Sequence, residues 1–216
     1  MKDIFFVRHA ESESNVDGIQ RGPTTALTEK GINQAEIVAE RVAKLGVEAL
    51  VASPYHRTQH TAERISEKIG LPIEICDLFT ERRNPSARLG RTLDAEIKGM
   101  MHEVFVGYTE KGHRFSDEEN FEDLRARANR ALAFLTNYPK DKVCVVTHGV
   151  FLRILLCAAV NGPEFTGRDM QNFMKTYETG NTGIFWFQQR VNHWTTSDED
   201  PMAWYVMSWN DLAHLG

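Results

Sequence analysis

The stretch Lys2-Asp3-Ile4-Phe5-Phe6-Val7-Arg8-His9 sets an unbroken apolar run, Ile4 to Val7, directly against a guanidinium and an imidazole. Continuous apolarity over so short a run predicts a strand buried on both faces, the pattern of a parallel sheet covered by helices. The polar pair then emerges where the strand ends, and in open α/β sheets ligand chemistry gathers at such ends. The same pattern returns far downstream. Val143 to Val146 is again wholly apolar and runs out into Thr147-His148-Gly149, followed by the apolar segment Val150 to Val160. Two predicted strands thus finish in histidine.

Between and beyond these strands the pattern alternates. After a polar, Gly/Pro-bearing loop from Glu11 to Thr25, the residues Ile32, Ala35, Val38, Val42 and Leu45 recur at helical spacing, and Gly46 provides a stop. Ala49–Ala52 reads as a second strand, after which Ser53-Pro54 offers an N-cap residue and a proline to open a helix over Tyr55–Ile69. Ile73–Cys76 predicts a third strand, and Asp77–Asn120 reads as an irregular, charged excursion covering a site. A helical face resumes with Phe121, Leu124, Ala128, Ala131, Leu132 and Leu135, its start marked either by the capping-box-like Ser116-Asp117-Glu118-Glu119 or by Asn120. Strands at Gly183–Phe187 and Ala203–Met207, separated by a polar turn from Asn192 to Pro201, predict a hairpin-like edge on a mostly parallel sheet.

The 216 residues, 42% apolar and 25% charged, suit one globular α/β domain over residues 1–216. A net charge of −5 supplies no global field to gather nucleic acid or anionic lipid, so neither is expected as a partner, although a pocket can be locally basic. Cys76, Cys144 and Cys157 are odd in number and widely spaced, which points to free thiols in a reducing compartment. Ile4–Val7 is far too short for a signal-peptide core or a membrane span, and a cytoplasmic location is expected. Trp186, Trp194, Trp204, Tyr205 and Trp209 could serve the core, a lid or a homo-oligomer contact, packing being the ordinary use of such residues.

The chemistry starts in Arg8-His9-Ala10-Glu11-Ser12-Glu13-Ser14-Asn15. A nucleophilic imidazole has to be neutral; an adjacent guanidinium favours that form by repelling a proton, and its N–H groups can hold phosphoryl oxygens. An isolated Arg-His pair ordinarily does no more than end a strand. The second element, Ser53-Pro54-Tyr55-His56-Arg57-Thr58-Gln59-His60-Thr61-Ala62, follows a strand directly and puts Arg57 in the first turn of a helix, where cation and helix N-terminus can face one anion. His56 and His60 have the spacing of a metal pair, but no acidic helix position nearby completes a metalloprotease-like motif, so no metal is expected. Taken singly, Arg57 is an exposed helix arginine and His148 a satisfied buried histidine. The joint arrangement is what carries chemistry.

Those three elements, in this order and spacing, resemble the histidine phosphatase superfamily, in its phosphoglycerate-mutase-like branch, across nearly the whole chain. The resemblance implies a three-layer α/β/α sandwich with a mostly parallel sheet, a site at the carboxyl ends of the strands, and an inserted lid over about residues 77–120. It implies that His9 takes the phosphoryl group, that Arg8, Arg57 and His148 clamp it, and that Asn15 adds a hydrogen bond, with Gly149 and Gln20 as further substrate contacts. Glu81, in Phe79-Thr80-Glu81-Arg82-Arg83-Asn84-Pro85-Ser86, resembles the family's proton donor, while Glu11, Glu13 and Glu103 remain competing acids. Acids held beside phosphate charge are favoured in the protonated form. Arg82 is a candidate substrate contact, and Arg82, Arg83, Arg88 and Arg91 either recognise a second anionic group or form a solvated surface. Ala10 stands where the family usually has glycine, which matters if the backbone there needs a positive φ or approaches phosphate directly.

The implied mechanism has His9 attack phosphorus in line while Glu81 protonates the departing oxygen; water then attacks the phosphohistidine as Glu81 accepts its proton. No cofactor is expected, because no Gly-rich loop ends in Gly-Lys-Ser/Thr, and two arginines with a second histidine take the charge-neutralising part that magnesium plays in many phosphoryl-transfer enzymes. The favoured activity is a metal-independent phosphatase acting on a small phosphorylated metabolite. The alternatives are a phosphoglycerate-type mutase and a catalytically silent phosphate-binding relative, for which Ala10 is the sequence hint.

Overall fold

The apolar run Ile4–Val7 lies inside strand β1 (Lys2–Arg8), near the middle of the sheet, in a computed structural model that describes residues 1–192 and 202–216. On one side β1 pairs in parallel with β4 (Lys142–Thr147), Arg8 standing opposite Thr147. On the other side it pairs antiparallel with β5 (Ile184–Val191). The sheet has 6 strands in the order β3-β2-β4-β1-β5-β6. Here β2 (Ala49–Ala52) and β3 (Ile73–Ile75) extend the parallel half, and β6 (Met202–Asp211) runs antiparallel to β5 at the far edge. Neighbours β1 and β4 send their connections to opposite edges of the sheet, which opens a crevice at their carboxyl ends.

Side-chain alternation divides the core. Ile4 and Phe6 pack with Val143 and Val145 on one face, beneath α5 (Phe121–Thr136), α6 (Gly149–Asn161) and α7 (Gly167–Thr176), through Leu124, Phe151, Leu155 and Met170. Phe5 and Val7 pack with Cys144 and Val146 on the other, against α2 (Glu29–Ala43) and α3 (His56–Ile69), through Val38, Val42, Ala62 and Ile65. The result is the expected α/β/α sandwich, and burial on both faces is why these two strands read as continuous apolar runs.

Several elements differ from the sequence expectations. The excursion 77–120 is not irregular throughout, since α4 (Ala95–Gly107) forms inside it behind Asp94, whose side chain accepts from Ile97 N at 2.9 Å. Only Ile97, Val104 and Gly107 of that helix are buried, so its apolar residues spread around the axis and leave no clear period. Helix α7 has no counterpart among the predicted elements although Thr166 and Asp169 form a capping box at its start, and a short α1 (Glu13–Asp17) occupies the loop after His9. Ser53 is not an N-cap: Tyr55 takes that position and the Ser53 hydroxyl goes to His148. Of the two candidate starts for α5, Asn120 is the cap, in a box with Asp123. The predicted turn beyond Asn192, with Trp194, falls outside the described residues. Trp186 stacks on Phe5 with ring centroids 5.8 Å apart and Trp209 meets Phe185 edge-on at 4.5 Å, so both serve packing. All three cysteines are free, and among the described residues no helix is long and apolar enough to cross a membrane.

Candidate active site

The β1–β4 ladder continues one step past the strand ends, where His9 N donates to Thr147 O at 2.9 Å. That pairing brings the two strand-end histidines together, ring centroids 5.3 Å apart. Both are buried, at 3% and 0% exposure. Their hydrogen bonds fix their tautomers. His9 Nδ1 lies 2.8 Å from Ala10 O, and a carbonyl can only accept, so Nδ1 carries the proton and Nε2 the lone pair. Arg57 Nε donates to that lone pair at 3.1 Å. At His148 the roles reverse: Arg57 Nη2 donates to Nδ1 at 3.0 Å, so Nε2 carries the proton and donates to Ser53 Oγ at 2.8 Å. Burial first, then the neighbouring positive charges led by Arg57, hold both imidazoles well below the ordinary value of 6.5.

Arg57 comes from the first turn of α3, and its third donor reaches Gly22 O at 3.0 Å. Arg8 closes the other side: its Nη1 donates to Thr179 O, while its Nε is buried without a partner. A Cβ on Gly149 would lie 2.8 Å from Thr179 Oγ1 and 3.1 Å from Arg8 Nε, so glycine there makes room for the Arg8 side chain. Arg8, His9, Asn15 and Arg57 line a cleft of about 410 Å³, a volume suited to a small ligand, whereas Gly149 and the fully buried His148 stand behind its wall. Asn15 Oδ1 accepts from Ser12 N and Ser12 Oγ at 3.0 Å each and from Asn181 Nδ2 at 3.2 Å, leaving its own amide hydrogens for a ligand.

Of the four candidate acids only Glu81 lines the cleft. Its carboxylate accepts from Arg82 N at 2.9 Å, Val150 N at 3.2 Å and Phe151 N at 3.0 Å, and so sits at the N-terminus of α6. Glu11 is tied to Thr28 and Lys30, Glu13 faces Arg21 at 3.6 Å, and Glu103 lines a separate depression beside His102 and His113. Gln20, Arg82, Arg83 and Arg88 line the cleft; Arg91 instead pairs with Asp94 and Glu96 at 3.0 and 2.8 Å. His56 and His60 are exposed on α3, the latter 3.8 Å from Glu63, and no group of metal-ligating side chains gathers among the described residues.

Ala10 needs no special backbone. Among the described residues the only non-glycine positions with positive φ are Thr182 and Asn210, and the Ala10 methyl packs with Leu27 and Ala35 while its N–H donates to Thr61 Oγ1 at 3.1 Å. Sequence reasoning missed Ser53, Tyr55, Thr179 and Asn181. Asn181 Nδ2 donates to His9 O at 3.0 Å, and the next residue, Thr182, is held at φ 58° by its N–H bond to Arg8 O at 3.0 Å. A buried β-branched residue in the left-handed region is strained, and such strain collects at functional sites. The readable signal was Gly180-Asn181-Thr182-Gly183, a glycine-flanked turn just before a strand.

The family model for the histidine phosphatase superfamily (branch 1) matches residues 4–198. Among curated proteins, the probable phosphoglycerate mutase GpmB of Enterobacter sp. (strain 638) is 28% identical over 223 residues, covering 100% of this chain and 95% of that one. Among solved structures, a mutant phosphoserine phosphatase from Entamoeba histolytica in complex with phosphoserine aligns with a TM-score of 0.75 at 24% identity, over 100% of both chains. The mycobacterial glucosyl-3-phosphoglycerate phosphatase complexed with VO3 aligns at 0.75 and 23% identity, over 97% of this chain and 99% of that one.

Proposed function

Since the chain belongs to the histidine phosphatase superfamily, we propose that it is a phosphomonoesterase that moves the phosphoryl group of a small phosphorylated metabolite to His9 Nε2 and then to water. The observation that carries this reading is the tautomer of His9: a neutral ring, its proton committed to Ala10 O and its Nε2 lone pair held beside Arg57 in the cleft. Incoming phosphate oxygens take the Arg57 N–H that Nε2 now accepts, which frees the lone pair as the substrate arrives. The Arg8 guanidinium at the cleft wall and the Asn15 amide add donors for the oxygens that gain charge in the transition state.

In the first half-reaction the Nε2–P bond forms in line with the breaking P–O bond, and the departing oxygen takes a proton from Glu81. The Nδ1–H bond to Ala10 O keeps the ring oriented and supports the cationic phosphoimidazole. In the second half-reaction Glu81 accepts a proton from water as the water oxygen attacks phosphorus and Nε2 leaves. His148, with Ser53 behind it, acts by fixing the Arg57 guanidinium. The name of the curated relatives favours a second reading, a mutase that returns the phosphoryl group to another oxygen of the same substrate.

The test is release of inorganic phosphate from an aryl phosphate by wild type and His9→Ala, each in excess EDTA, across a pH series. Wild type is expected to turn over and the variant to lose turnover. Activity unchanged by His9→Ala, or abolished in wild type by EDTA, would overturn the proposal, and isomerised rather than hydrolysed phosphoglycerate would favour the mutase.

A further inference from the structure

The segment between α7 and β5 grips the reacting groups from behind. Thr179 O accepts from Arg8 Nη1, Thr182 N donates to Arg8 O at 3.0 Å, and Gly183 O accepts from Arg8 N at 3.2 Å. Asn181 Nδ2 reaches both His9 O at 3.0 Å and Asn15 Oδ1 at 3.2 Å. It therefore fixes the backbone that carries the nucleophile and turns the Asn15 amide hydrogens toward the cleft. None of residues 178–183 lines the cleft itself.

This segment is held in turn by the end of β6 and the 3-10 turn Ala213–Leu215 that follows it. Trp209 Nε1 donates to Glu178 O at 2.7 Å, and Asn210 Oδ1 accepts from Gly180 N at 2.6 Å. His214 Nε2 lies 3.2 Å from Thr182 Oγ1, whose own hydrogen is committed to Asn181 O at 2.7 Å. His214 Nε2 is thus the donor, and its Nδ1 lone pair is buried without a partner. Burial outweighs the nearby Asp211 carboxylate and lowers the pKa of the ring, which keeps it neutral with Nε2–H as its one donor. Asp211 is tied to Arg41 of α2 at 3.2 Å, which anchors the whole contact to the neighbouring helix. Glycines allow the close approach: a Cβ on Gly180 would lie 2.7 Å from Leu212 Cδ1, and one on Gly183 2.6 Å from Asn210 Oδ1. Thr182 at φ 58° and Asn210 at φ 55°, the only non-glycine residues with positive φ among the described residues, both belong to this contact. Left-handed backbone and an orphaned ring nitrogen are costly, and here they gather directly behind Arg8, His9 and Asn15.

We infer that Asn210 and His214 are positioning residues for phosphoryl transfer: they hold the 178–183 segment so that Thr179 and Asn181 fix Arg8, His9 and Asn15 in register with the phosphate. Neither lines the cleft, and each acts through the segment it holds. The inference rests on the phosphatase reading above.

The experiment pairs a disabling with a conservative substitution at each position. Asn210→Gly keeps the left-handed backbone and removes the acceptor, whereas Asn210→Asp keeps both. His214→Phe removes the donor, and His214→Gln returns an amide N–H near the position of Nε2. The dissociation constant of inorganic phosphate is measured by calorimetry and KM on an aryl phosphate by steady-state kinetics, both well below each Tm. A merely structural contact would lower Tm and the amount of folded protein but leave both constants at their wild-type values. Positioning predicts that Asn210→Gly and His214→Phe each weaken phosphate about tenfold and raise KM, and that Asn210→Asp and His214→Gln recover most of the loss. Wild-type constants in both disabling variants, or a loss that neither conservative variant recovers, would overturn the inference. Turnover of the aryl phosphate by wild type tests the phosphatase reading separately. Phosphate bound without turnover would overturn that reading and not this one, and a wild type that binds no phosphate would overturn both.

Discussion

Arg57 reaches His9 Nε2, His148 Nδ1 and Gly22 O with its three nitrogens, a fork that no ammonium can reproduce. Arg57→Lys is therefore expected to lower kcat/KM by about 10²–10³, the usual loss when a transition-state donor is removed, and steady-state kinetics on an aryl phosphate would check it. The two buried histidines also predict how stability depends on pH. Their folded-state pKa values lie well below the ordinary 6.5, so as pH falls past that value the unfolded chain binds protons that the folded chain refuses. The stabilisation is complete above pH 6.5 and is lost on acidification, by about 1.4 kcal/mol per pH unit for each histidine. Urea unfolding between pH 6.5 and 5 should show this slope, and His148→Gln should make it shallower by one proton; equal slopes would count against neutral burial of His148. Arg8, His9, Arg57 and His148 were legible because each ends or directly follows a strand or opens a helix. Ser53 and Asn181 were not. A serine before a proline looks the same locally whether it caps a helix or receives the N–H of a histidine 95 positions away.

Among the elements, legibility followed burial. Strands β1 and β4 announced themselves through runs buried on both faces, and α2 through a regular apolar stripe, whereas α4 buries too little for its period to show. Helix α6 has two devices at its start, Glu81 on its N–H groups and Gly149 beneath Arg8. Gly149→Ala sets a methyl 2.8 Å from Thr179 Oγ1 and 3.1 Å from Arg8 Nε, pressing on the Thr179 segment that holds Arg8 as well as on Arg8 itself, and we expect a lower kcat/KM, carried mainly by KM, from the displaced phosphate donor. Gly167→Ala is the contrasting case: its Cβ would fall 1.7 Å from Tyr108 O, where α7 meets the end of α4, and neither residue lines the cleft. There the expected effect is a loss of about 1–3 kcal/mol in stability, read as a lower Tm, because packed backbone has to move. An unchanged Tm in Gly167→Ala, or unchanged kinetics in Gly149→Ala, would contradict these close approaches.

Across the whole molecule a net charge of −5 coexists with a cleft into which Arg8, Arg57, Arg82, Arg83 and Arg88 all project. Composition could exclude a broad basic surface but could not reveal this concentration, because it arises only when the excursion folds back over the ends of β1 and β4. A focused field of this kind predicts that kcat/KM for an anionic phosphomonoester falls as salt rises from 10 to 300 mM, by about threefold or more, while an unaltered value would mean the cleft does not steer its substrate. The central claim is the covalent intermediate on His9. It is tested most directly by mixing the wild-type protein with excess phosphomonoester in EDTA, quenching in alkali during turnover, and mapping the phosphoryl group by mass spectrometry. The account predicts an acid-labile phosphate on His9 alone, at a level that rises with substrate and is absent from His9→Ala. Turnover with no phosphorylated His9, or with the phosphate on another residue, would contradict it.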